Sequence, residues 1–532
     1  MSGEASVDAV RPLQPPQAGE PPPVGWRELV GFFAMVFGMF MAILDIQIVT
    51  SSLSELQAGL SASTDEISWV QTSYLIAEII MIPLSGWLSR VLSTRWLFLA
   101  SVIGFTVMSA ACAFADDLNT MIVLRAAQGF LGGAMIPTVF ATSYTIFSPK
   151  RRASNSVLMG LVATSAPTLG PTLGGWITAD FTWHWLFLVN VVPGTIVTLL
   201  VFLLVDFDRP HLHLLRRFDW LGVILVALFL GSLEYVLEEG PRNEWFDTNS
   251  IVIFTIVAAV AGVVFFWWEL TTKNPVVVLR TFKNKNFAIG CLFSFVIGIG
   301  LYGAVYITPL FLGQVARYDS MQIGMLMSIT GIFQMMVAPI AGKLTRTFDL
   351  RYVLSFGLLL LGASIALNSV LTHETRFWEL FLPQAMRGMA LMCCFVPINA
   401  LTLGTLTPEQ VRNGAGFYNL TRNLGGAIGL ASINTVLTDR YALHHTRLME
   451  AITARRLNVQ AVLDSLAARF SDMMPGNADL AALKTIGNLV QREALVLTYS
   501  DCLFLMSFVF FAALLMMPMV NKVVLAINRP QT

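Results

Sequence analysis

Three ionisable residues, Asp45, Glu78 and Arg125, interrupt otherwise apolar stretches of this sequence. An unpaired charge in an apolar surrounding is costly, so such residues usually pair with one another or carry a function. A carboxyl group beside an arginine can take up and release a proton when the access of water to the site changes. The residue types therefore indicate proton transfer within an apolar interior.

Apolar helices are needed to position these residues. Of the 532 residues, 55% are apolar and only 12% are charged, which lies outside the usual range of soluble proteins. Stretches of about 20 apolar residues recur, and this is the length that crosses a bilayer as a helix. They are apolar on every face, as in WLFLASVIGFTVMSAACAF, whereas membrane-spanning strands alternate in hydrophobicity. The sequence therefore predicts an all-α membrane protein.

The apolar stretches give the number of spans, and the distribution of Lys and Arg between them tests that number. Fourteen spans begin near residues 29, 67, 96, 119, 154, 184, 218, 249, 287, 321, 352, 378, 414 and 500. Lys and Arg accumulate in cytoplasmic loops, and here they are frequent in alternate connections and rare in the other short ones. This distribution predicts that both termini are cytoplasmic.

The three ionisable residues then lie at similar depths. At a rise of 1.5 Å per residue, Asp45, Glu78 and Arg125 are roughly 12, 15 and 9 Å from the outer ends of their spans. We expect one acid–base cluster that faces a central cavity, with Asp45 as the leading proton carrier and Glu78 as the second candidate. A permanent ion pair that holds the first and fourth spans together is the competing interpretation.

Two short motifs recur along the chain. PLSGWLSRVLSTR begins at Pro83 and PIAGKLTRTFDLR begins at Pro339, with Pro, Gly, Leu and two Arg at the same internal spacing. RAAQGFLGGAMIP, which begins at Arg125, is echoed by RGMALMCCFVP, which begins at Arg387. A duplicated six-helix unit with two extra spans inserted between the copies explains both pairs.

These motifs resemble those of the major facilitator superfamily. GWLSRVLSTR is similar to the family's loop between spans 2 and 3, LRAAQGFLGGAMIP to its fourth-span motif, and APTLGPTLGG to its fifth-span antiporter motif. LDIQIVTSSLSELQAGL and the inserted pair resemble fourteen-span drug:proton antiporters of the EmrB/QacA type, and HHTRL favours EmrB-like multidrug efflux permease subunits. Ser89 stands where family members usually carry Asp, which weakens the case for the family's salt bridge at this loop.

The resemblance implies a division of the chain into two halves and several smaller parts. We expect a disordered cytoplasmic tail at residues 1–26, an N-terminal six-helix half at 27–210, an inserted two-helix linker at 211–275, a C-terminal six-helix half at 276–523 that includes a periplasmic segment at 439–495, and a cytoplasmic tail at 524–532.

The resemblance also implies which residues control access to the transport path. The residues of the cytoplasmic gate loops are Gly86, Arg90, Arg95, Gly342, Arg346 and Arg351. The antiporter motif contributes Pro167, Gly170, Pro171, Gly174 and Gly175. Close packing of small residues between membrane helices would explain the motif glycines equally well, and a bend at Pro171 would serve both purposes.

Other polar or polarizable residues within the spans are candidates for lining a substrate cavity: Gln128, Met335, Arg387, Met392 and Arg422. Flexible methionine side chains suit varied lipophilic cargo, although ordinary core packing explains them as well. The two arginines would attract anionic cargo or pair with Glu78 or Asp45.

The resemblance implies a proton-coupled antiporter that exports lipophilic or amphipathic compounds by alternating access across a bacterial inner membrane. Three alternatives stay open: an uncoupled facilitator or channel, a dedicated exporter of one endogenous metabolite, and a membrane receptor or scaffold without transport. The sequence contains no nucleotide-binding loop, so we predict a secondary transporter without catalytic residues or cofactors and not an enzyme. Its cysteines lack metal-ligand spacing, so we expect no metal site, and nothing supports nucleic-acid binding.

The segment after the thirteenth span predicts a protein partner. TDRYALHHTRLMEAI and AVLDSLAARF have helical apolar spacing with polar faces. By resemblance, this segment docks an EmrA-like periplasmic adaptor that passes cargo to a TolC-like outer-membrane channel. The remaining expected partners are the small substrate, protons and the lipid bilayer.

Overall fold

A computed structural model describes residues 25–63, 66–273, 275–370, 372–452, 457–471 and 476–521. These residues are mostly helical, and no strand occurs among them. Helices satisfy their backbone hydrogen bonds within one segment, which an apolar surrounding requires. The predicted all-α fold class is confirmed. The predicted tails lie outside the described residues, apart from Gly25 and Trp26 at the start of the first helix.

The first half of the chain forms six spans from nine helices. A turn at Gly133 and Ala134 separates α5 from α6 within one span, and α8 and α9 likewise share a span. The bounds are α1 Trp26–Ser51, α2 Leu53–Gly59, α3 Trp69–Leu92, α4 Thr94–Cys112, α5 Leu118–Gly132, α6 Met135–Ile146, α7 Pro149–Asp180, α8 Trp185–Leu188 and α9 Val191–Leu204.

Two inserted helices follow and pack against each other, α10 Trp220–Glu239 and α11 Asn249–Thr271. The second half then contains α12 Lys285–Gln314, α13 Ser320–Thr347, α14 Leu350–Asn368, α15 Phe377–Thr402, α16 Pro408–Ala451, α17 Leu457–Ser471 and α18 Ala478–Leu515. Short 3₁₀ helices lie at Leu212–Arg217, Trp245–Asp247, Leu279–Lys283 and Met517–Met519.

The described helices supply the fourteen spans that the sequence predicts. Thirteen of them are long and apolar enough by composition alone. The fourteenth is the first part of α16, which buries apolar residues such as Phe417 and Ile433 and packs on α12. Arg412 and Arg422 lie in this part of the helix, which explains why its composition is less apolar.

Two of the helix pairs that join the halves are copies of each other. α3 packs on α16, and α7 packs on α13. The duplication predicts this symmetry, because α13 carries the second copy of the motif at the end of α3, while α16 occupies the place of α7 in the second half. The inserted α10 packs on α3 and also contacts α16, so it lies at one of the two seams between the halves.

The predicted segment at residues 439–495 continues the last two spans in its described parts. α16 has 44 residues and so extends about 66 Å by helix rise, more than twice the thickness of a hydrocarbon core. α18 begins at Ala478 and not near residue 500, and α17 packs on it. His444 Nε2 lies 2.9 Å from Asp501 Oδ2 and thereby ties α16 to α18. The domain boundaries that we expected from the sequence stay a prediction.

Candidate functional site

Asp45 and Arg125 form a fully buried ion pair between α1 and α5. Arg125 Nη1 lies 2.7 Å from Asp45 Oδ2, and both side chains have no exposed surface. Asp45 Oδ1 accepts hydrogen bonds from Asn190 Nδ2 at 2.7 Å and from Gln128 Nε2 at 3.3 Å. Arg125 also donates to Gln128 Oε1 at 2.7 Å and to the Val70 carbonyl oxygen at 3.3 Å. Charge and hydrogen bonds together make this buried pair tolerable.

Aromatic rings enclose the same guanidinium group. Its carbon atom lies 4.3 Å from the ring centre of Tyr74 and 5.8 Å from that of Phe187, which are cation–π distances. Asn190 is held in turn by a hydrogen bond to Ser109 Oγ at 3.1 Å. Neither Tyr74 nor Asn190 was predicted from the sequence. The only signal for Asn190 is an amide within the apolar stretch WLFLVNVVPG.

Glu78 is close to this cluster in the fold but does not belong to its hydrogen-bond network. It is buried on α3 with 2% of its surface exposed, and it lines a cavity between the halves. Within the described ranges its carboxylate takes part in no hydrogen bond or ion pair. The structure therefore brings Asp45, Arg125 and Gln128 together and leaves Glu78 facing the cavity.

The cavity has a volume of about 800 Å³ and is lined by both halves of the protein. Helices α1, α3 and α7 of the first half and α12, α13 and α16 of the second contribute to it, and α10 completes the wall. A pocket of this volume accommodates a drug-sized molecule. Its apolar lining includes Leu75, Ile79, Val305, Leu310, Met327 and Leu430, and its polar lining includes Gln71, Thr72, Tyr302, Tyr306, Asn423 and Asn434.

The cavity lies at one end of the helix bundle. Its lining comes from the last turns of α1 and α7 and the first turns of α3 and α13, so we call this end the cavity side. The opposite end holds the repeated loop motifs, at 83–95 and 339–351, and we call it the motif side. On the motif side Phe140 of α6 packs on Phe395 and Tyr418 of the second half, with ring centres 6.2 and 5.7 Å apart.

Further contacts join the halves on the motif side. A Cβ atom on Gly86 would lie 2.8 Å from the Arg412 carbonyl oxygen, so α3 and α16 approach each other as closely as glycine permits. Arg412 also forms an ion pair at 3.0 Å with Asp208, just beyond α9. Asp208 accepts a hydrogen bond from the Thr94 backbone at 2.9 Å, at the start of α4. This motif-side ion pair was not predicted, and it links the two halves although Ser89 replaces the family's usual Asp.

Two other gate-loop residues, Arg346 and Gly342, contact the opposite half. Arg346 donates to Ser154 Oγ of the first half at 2.6 Å, and Gly342 lies against Val157. Arg351 pairs with its neighbour Asp349 at 2.9 Å. In the first half, Arg95 donates to the Phe202 carbonyl oxygen. Arg90 is partly buried at the end of α3, and its Nε donates no hydrogen bond to any of the described residues.

The antiporter motif lies in α7, where it both packs and lines the cavity. Pro167 and Pro171 lie inside the helix. Gly170 contacts Gln47 of α1 and Gly174 contacts Ser51 of the same helix, where a Cβ atom on either glycine would collide. Pro171 and Gly175 are part of the cavity lining. The glycines thus pack closely against α1, and the role of the motif in gating stays a prediction.

The five residues proposed from the sequence to line a substrate cavity lie outside the lining of this cavity. Gln128 belongs to the Asp45 cluster. Arg387 donates to Thr330 Oγ1 at 3.0 Å and to the Ala304 carbonyl oxygen at 3.3 Å. Arg422 donates to Asn419 Oδ1 at 2.6 Å and lies among Phe140, Phe395 and Tyr418. Met392 is buried in the second half, and Met335 on α13 is 56% exposed. Their role in transport stays a prediction.

Groups that could hold a metal ion are absent from the part of the chain that the structure describes. The five cysteines are all buried and unpaired. What the described residues do provide is a cavity large enough for a small molecule, with buried carboxyl groups in its lining.

Comparisons with known proteins agree with this geometry. A family model described as Major Facilitator Superfamily matches residues 35–430. The chain is 42% identical over 480 residues to the colistin resistance protein EmrB of Acinetobacter baumannii, with 90% of this chain and 94% of that protein covered. It is 32% identical over 444 residues to the multidrug export protein EmrB of Escherichia coli K12, with 83% and 86% covered.

Solved structures show the same fold at low sequence identity. The proton:xylose symporter XylE bound to 6-bromo-6-deoxy-D-glucose has a TM-score of 0.59 and 12% identity, with 93% of this chain and 96% of that chain covered. The expected fold of two six-helix halves is thereby confirmed.

Proposed function

The chain belongs to the major facilitator superfamily as an EmrB-like multidrug efflux protein, and from this premise we propose that it exports lipophilic or amphipathic compounds in exchange for protons. It is a transporter and not an enzyme. The observation that carries the proposal is the cavity of about 800 Å³ between the halves, which lies beside buried carboxyl groups and is separated from the motif side by contacts between the halves.

We assign the coupling site to Asp45, Glu78 and Arg125. Glu78 lines the cavity, so it can exchange a proton with water from the cavity side. Asp45 is shielded from the cavity by its partners and needs a conformational change before it can release Arg125. Protonation of Asp45 would remove its attraction for Arg125, so one proton equilibrium can bias the equilibrium between the two orientations of the halves.

We propose that the cavity side is periplasmic and the motif side cytoplasmic. The motif side carries basic residues such as Arg90, Arg95 and Arg351, as cytoplasmic loops do. Both termini are then cytoplasmic in a bacterial inner membrane, and this conformation is the one that releases cargo outwards. The contacts between the halves close the motif side. They therefore favour a mechanism in which the cavity opens to one side of the membrane at a time over an open channel.

We further propose that the extended parts of α16 and α18, with α17, bind a periplasmic EmrA-like adaptor that leads to a TolC-like channel. These helices extend past the length that a bilayer requires. They also expose apolar side chains, among them Leu480 and Leu483 at 66% and 54%. Exposed apolar surface outside a membrane is typical of protein–protein contacts.

Transport in proteoliposomes tests the coupling site. With a pH gradient across the membrane, the native chain should accumulate a lipophilic dye, and Asp45→Asn or Glu78→Gln should abolish gradient-driven uptake. Asp45→Glu should retain part of it. Glu269→Gln is the matched control, because Glu269 is buried on α11 and lies outside the cavity lining.

The result also separates the alternatives. Full gradient-driven uptake by the Asp45→Asn, Glu78→Gln double variant would refute the coupling site. Downhill uptake by the native chain that ignores the pH gradient would indicate a facilitator, and the absence of any flux would indicate a receptor or scaffold. Uptake of one metabolite alone from a chemically mixed panel would indicate a dedicated exporter.

A further inference from the structure

The inserted helix α10, which was predicted from the sequence to be part of a linker, forms part of the cavity wall. Glu234, Glu238 and Glu239 of α10 all line the cavity. Ser68, just before α3, and Thr72 of α3 donate to Glu239 Oε1 at 3.2 and 3.1 Å and fix this end of α10.

Two more contacts hold α10 at the seam between the halves. Gly231 lies 3.3 Å from the side chain of Ile80 on α3, as measured from an ideal Cβ position. Just beyond α10, Trp245 Nε1 donates to Thr435 Oγ1 of α16 at 3.0 Å. Contacts with both halves place the glutamates of α10 where a bound molecule would meet each half.

The charge of the lining is strongly biased. Four glutamates line the cavity, Glu78, Glu234, Glu238 and Glu239, whereas Arg242 is the basic residue of the lining. Glu234 and Glu238 are four residues apart and therefore lie on the same face of α10. In their ionised forms these carboxyl groups would repel an anion in the cavity and attract a cation from two walls.

Glu234 supplies an independent sign of a ligand. Its side chain is almost fully enclosed, with 4% of the residue exposed, and its Oε2 atom has no hydrogen-bond partner within the described ranges. A buried polar atom without a partner costs free energy, and this one belongs to a side chain that lines the cavity. A positively charged group that enters the cavity would satisfy this oxygen.

The rest of the lining fits the remainder of such a molecule. Tyr302 and Tyr306 of α12 present aromatic rings, and Tyr306 is oriented by a hydrogen bond to Asn434 Oδ1 at 2.8 Å. Aromatic faces attract organic cations. Leu75 and Leu430 add apolar surface from both halves, which suits a hydrocarbon or aromatic tail.

We propose that Glu234, together with Glu238, forms a binding subsite for the charged group of amphipathic organic cations, so that the inserted helix pair selects the charge of the cargo. This inference rests on the proposed export function and adds the substrate class and the residues that choose it. Glu78 keeps its separate role in proton exchange.

Two ions of nearly the same size and opposite charge test the subsite. The purified full-length chain is titrated calorimetrically in nanodiscs with tetraphenylphosphonium and, separately, with tetraphenylborate. The native chain should bind the phosphonium more tightly. The Glu234→Gln, Glu238→Gln double variant should weaken phosphonium binding at least about tenfold, as expected when one partner of a buried charge pair is lost, and should leave borate binding unchanged or improved.

Two further variants exclude a general defect. Glu269→Gln, on the neighbouring inserted helix and outside the lining, should bind both ions as the native chain does. Glu234→Gln alone should also weaken phosphonium binding, and Glu234→Asp, which keeps the charge on a shorter side chain, should bind phosphonium more tightly than Glu234→Gln does. If neither substitution at Glu234 yields folded protein, Glu238→Gln alone should still weaken phosphonium binding selectively.

The inference is overturned by equal affinities of the native chain for the two ions, by unchanged phosphonium binding in the double variant, or by equal loss of both ions. Failure of the export function looks different. In that case the native chain in proteoliposomes moves no compound of a neutral, cationic and anionic panel under a pH gradient, whatever the binding results are.

Discussion

At the residue scale, Asp45 depends on several donors and not on its ion pair alone. One carboxylate oxygen accepts a hydrogen bond from Arg125, and the other accepts hydrogen bonds from Asn190 and Gln128. Removing Arg125 therefore leaves a buried carboxylate that keeps hydrogen bonds but loses its counter-charge. Removing both charges leaves neutral groups that the same amides can accommodate.

This difference gives a stability prediction. Arg125→Met should lower the free energy of unfolding by about 3–5 kcal/mol, the usual cost of breaking a buried pair from one side. The Asp45→Asn, Arg125→Met double variant should recover much of the loss. Denaturant unfolding of the purified chain in detergent measures both. Equal stability of the single variant and the native chain would show that the pair is not a structural element.

The sequence could predict this pair but not its surroundings. Asp45 and Arg125 are each a rare charge in an apolar stretch, and helix rise places them at similar depth, so their contact follows from one-dimensional reasoning. Asn190 and Tyr74 reach the same site from other spans, and only the packing of α3, α5 and α9 brings them there. The lining of the cavity was missed for the same reason, because it depends on how the two halves meet.

At the element scale, the closed end of the protein depends on a short segment after α9. Asp208 joins the start of α4, through the Thr94 backbone, to Arg412 at the start of α16. The side chains of Asp208 and Arg412 are only 12% and 22% exposed, so water screens this pair less than it screens a surface pair. Breaking it should favour opening of the motif side.

Labelling of an introduced cysteine checks this expectation. Val157→Cys lies on α7 against Gly342 of α13, and the five native cysteines are buried, so background labelling should be low. Asp208→Asn should raise the rate of maleimide labelling several-fold. Asp219→Asn is the control, since Asp219 binds Trp268 within the inserted pair. An unchanged rate would mean that other contacts suffice to close this end.

The packing of α7 on α1 gives a second prediction at this scale. Gly170→Ala would place a methyl group against Gln47, and overpacking of this kind typically costs about 1–3 kcal/mol. We expect lower thermal stability in detergent and slower transport. Gly331→Ala is the matched control, because a Cβ atom there would meet nothing within 4 Å. Normal stability with slow transport would instead assign Gly170 to movement of the helices.

The elements themselves were largely predictable, whereas their ends and roles were not. Apolar length locates the spans, since each helix must cross the same thickness of hydrocarbon. α16 and α18 continue well past that thickness. Charged residues such as Arg440 and Arg492 end the apolar stretches, so the full length of these helices could not be predicted from hydropathy. The inserted α10 looked like a linker in the sequence, because its glutamates line the cavity only through the packing of α10 beside α3 and α16.

At the scale of the whole molecule, the duplicated contacts α3–α16 and α7–α13 define two seams between the halves. The cavity opens at one end of these seams, and contacts between the halves close the other. The proposed orientation assigns the open end to the periplasm, so it can be tested without any transport measurement.

A reporter that is active only outside the cytoplasm provides this test. Fused between Arg440 and Arg492, beyond the bilayer on the cavity side, it should be active. Fused between Lys150 and Asn155, on the motif side, it should be inactive. Activity at the second position and none at the first would invert the topology, and with it the direction of transport that we propose.

The last prediction concerns the adaptor. A photo-crosslinking residue in place of Leu480 or Leu483, both exposed at the start of α18, should capture a membrane-anchored adaptor in the native host, because these side chains lie beyond the bilayer on the cavity side. The same group in place of Thr347, exposed on the motif side, should not. Capture at neither leucine, with normal export, would show that the exporter works without an adaptor at this surface. Changing both leucines to Asp gives an independent test. Loss of export from the cell without loss of uptake in proteoliposomes would support the adaptor, because export from the cell would require contact with the adaptor and uptake in proteoliposomes would not.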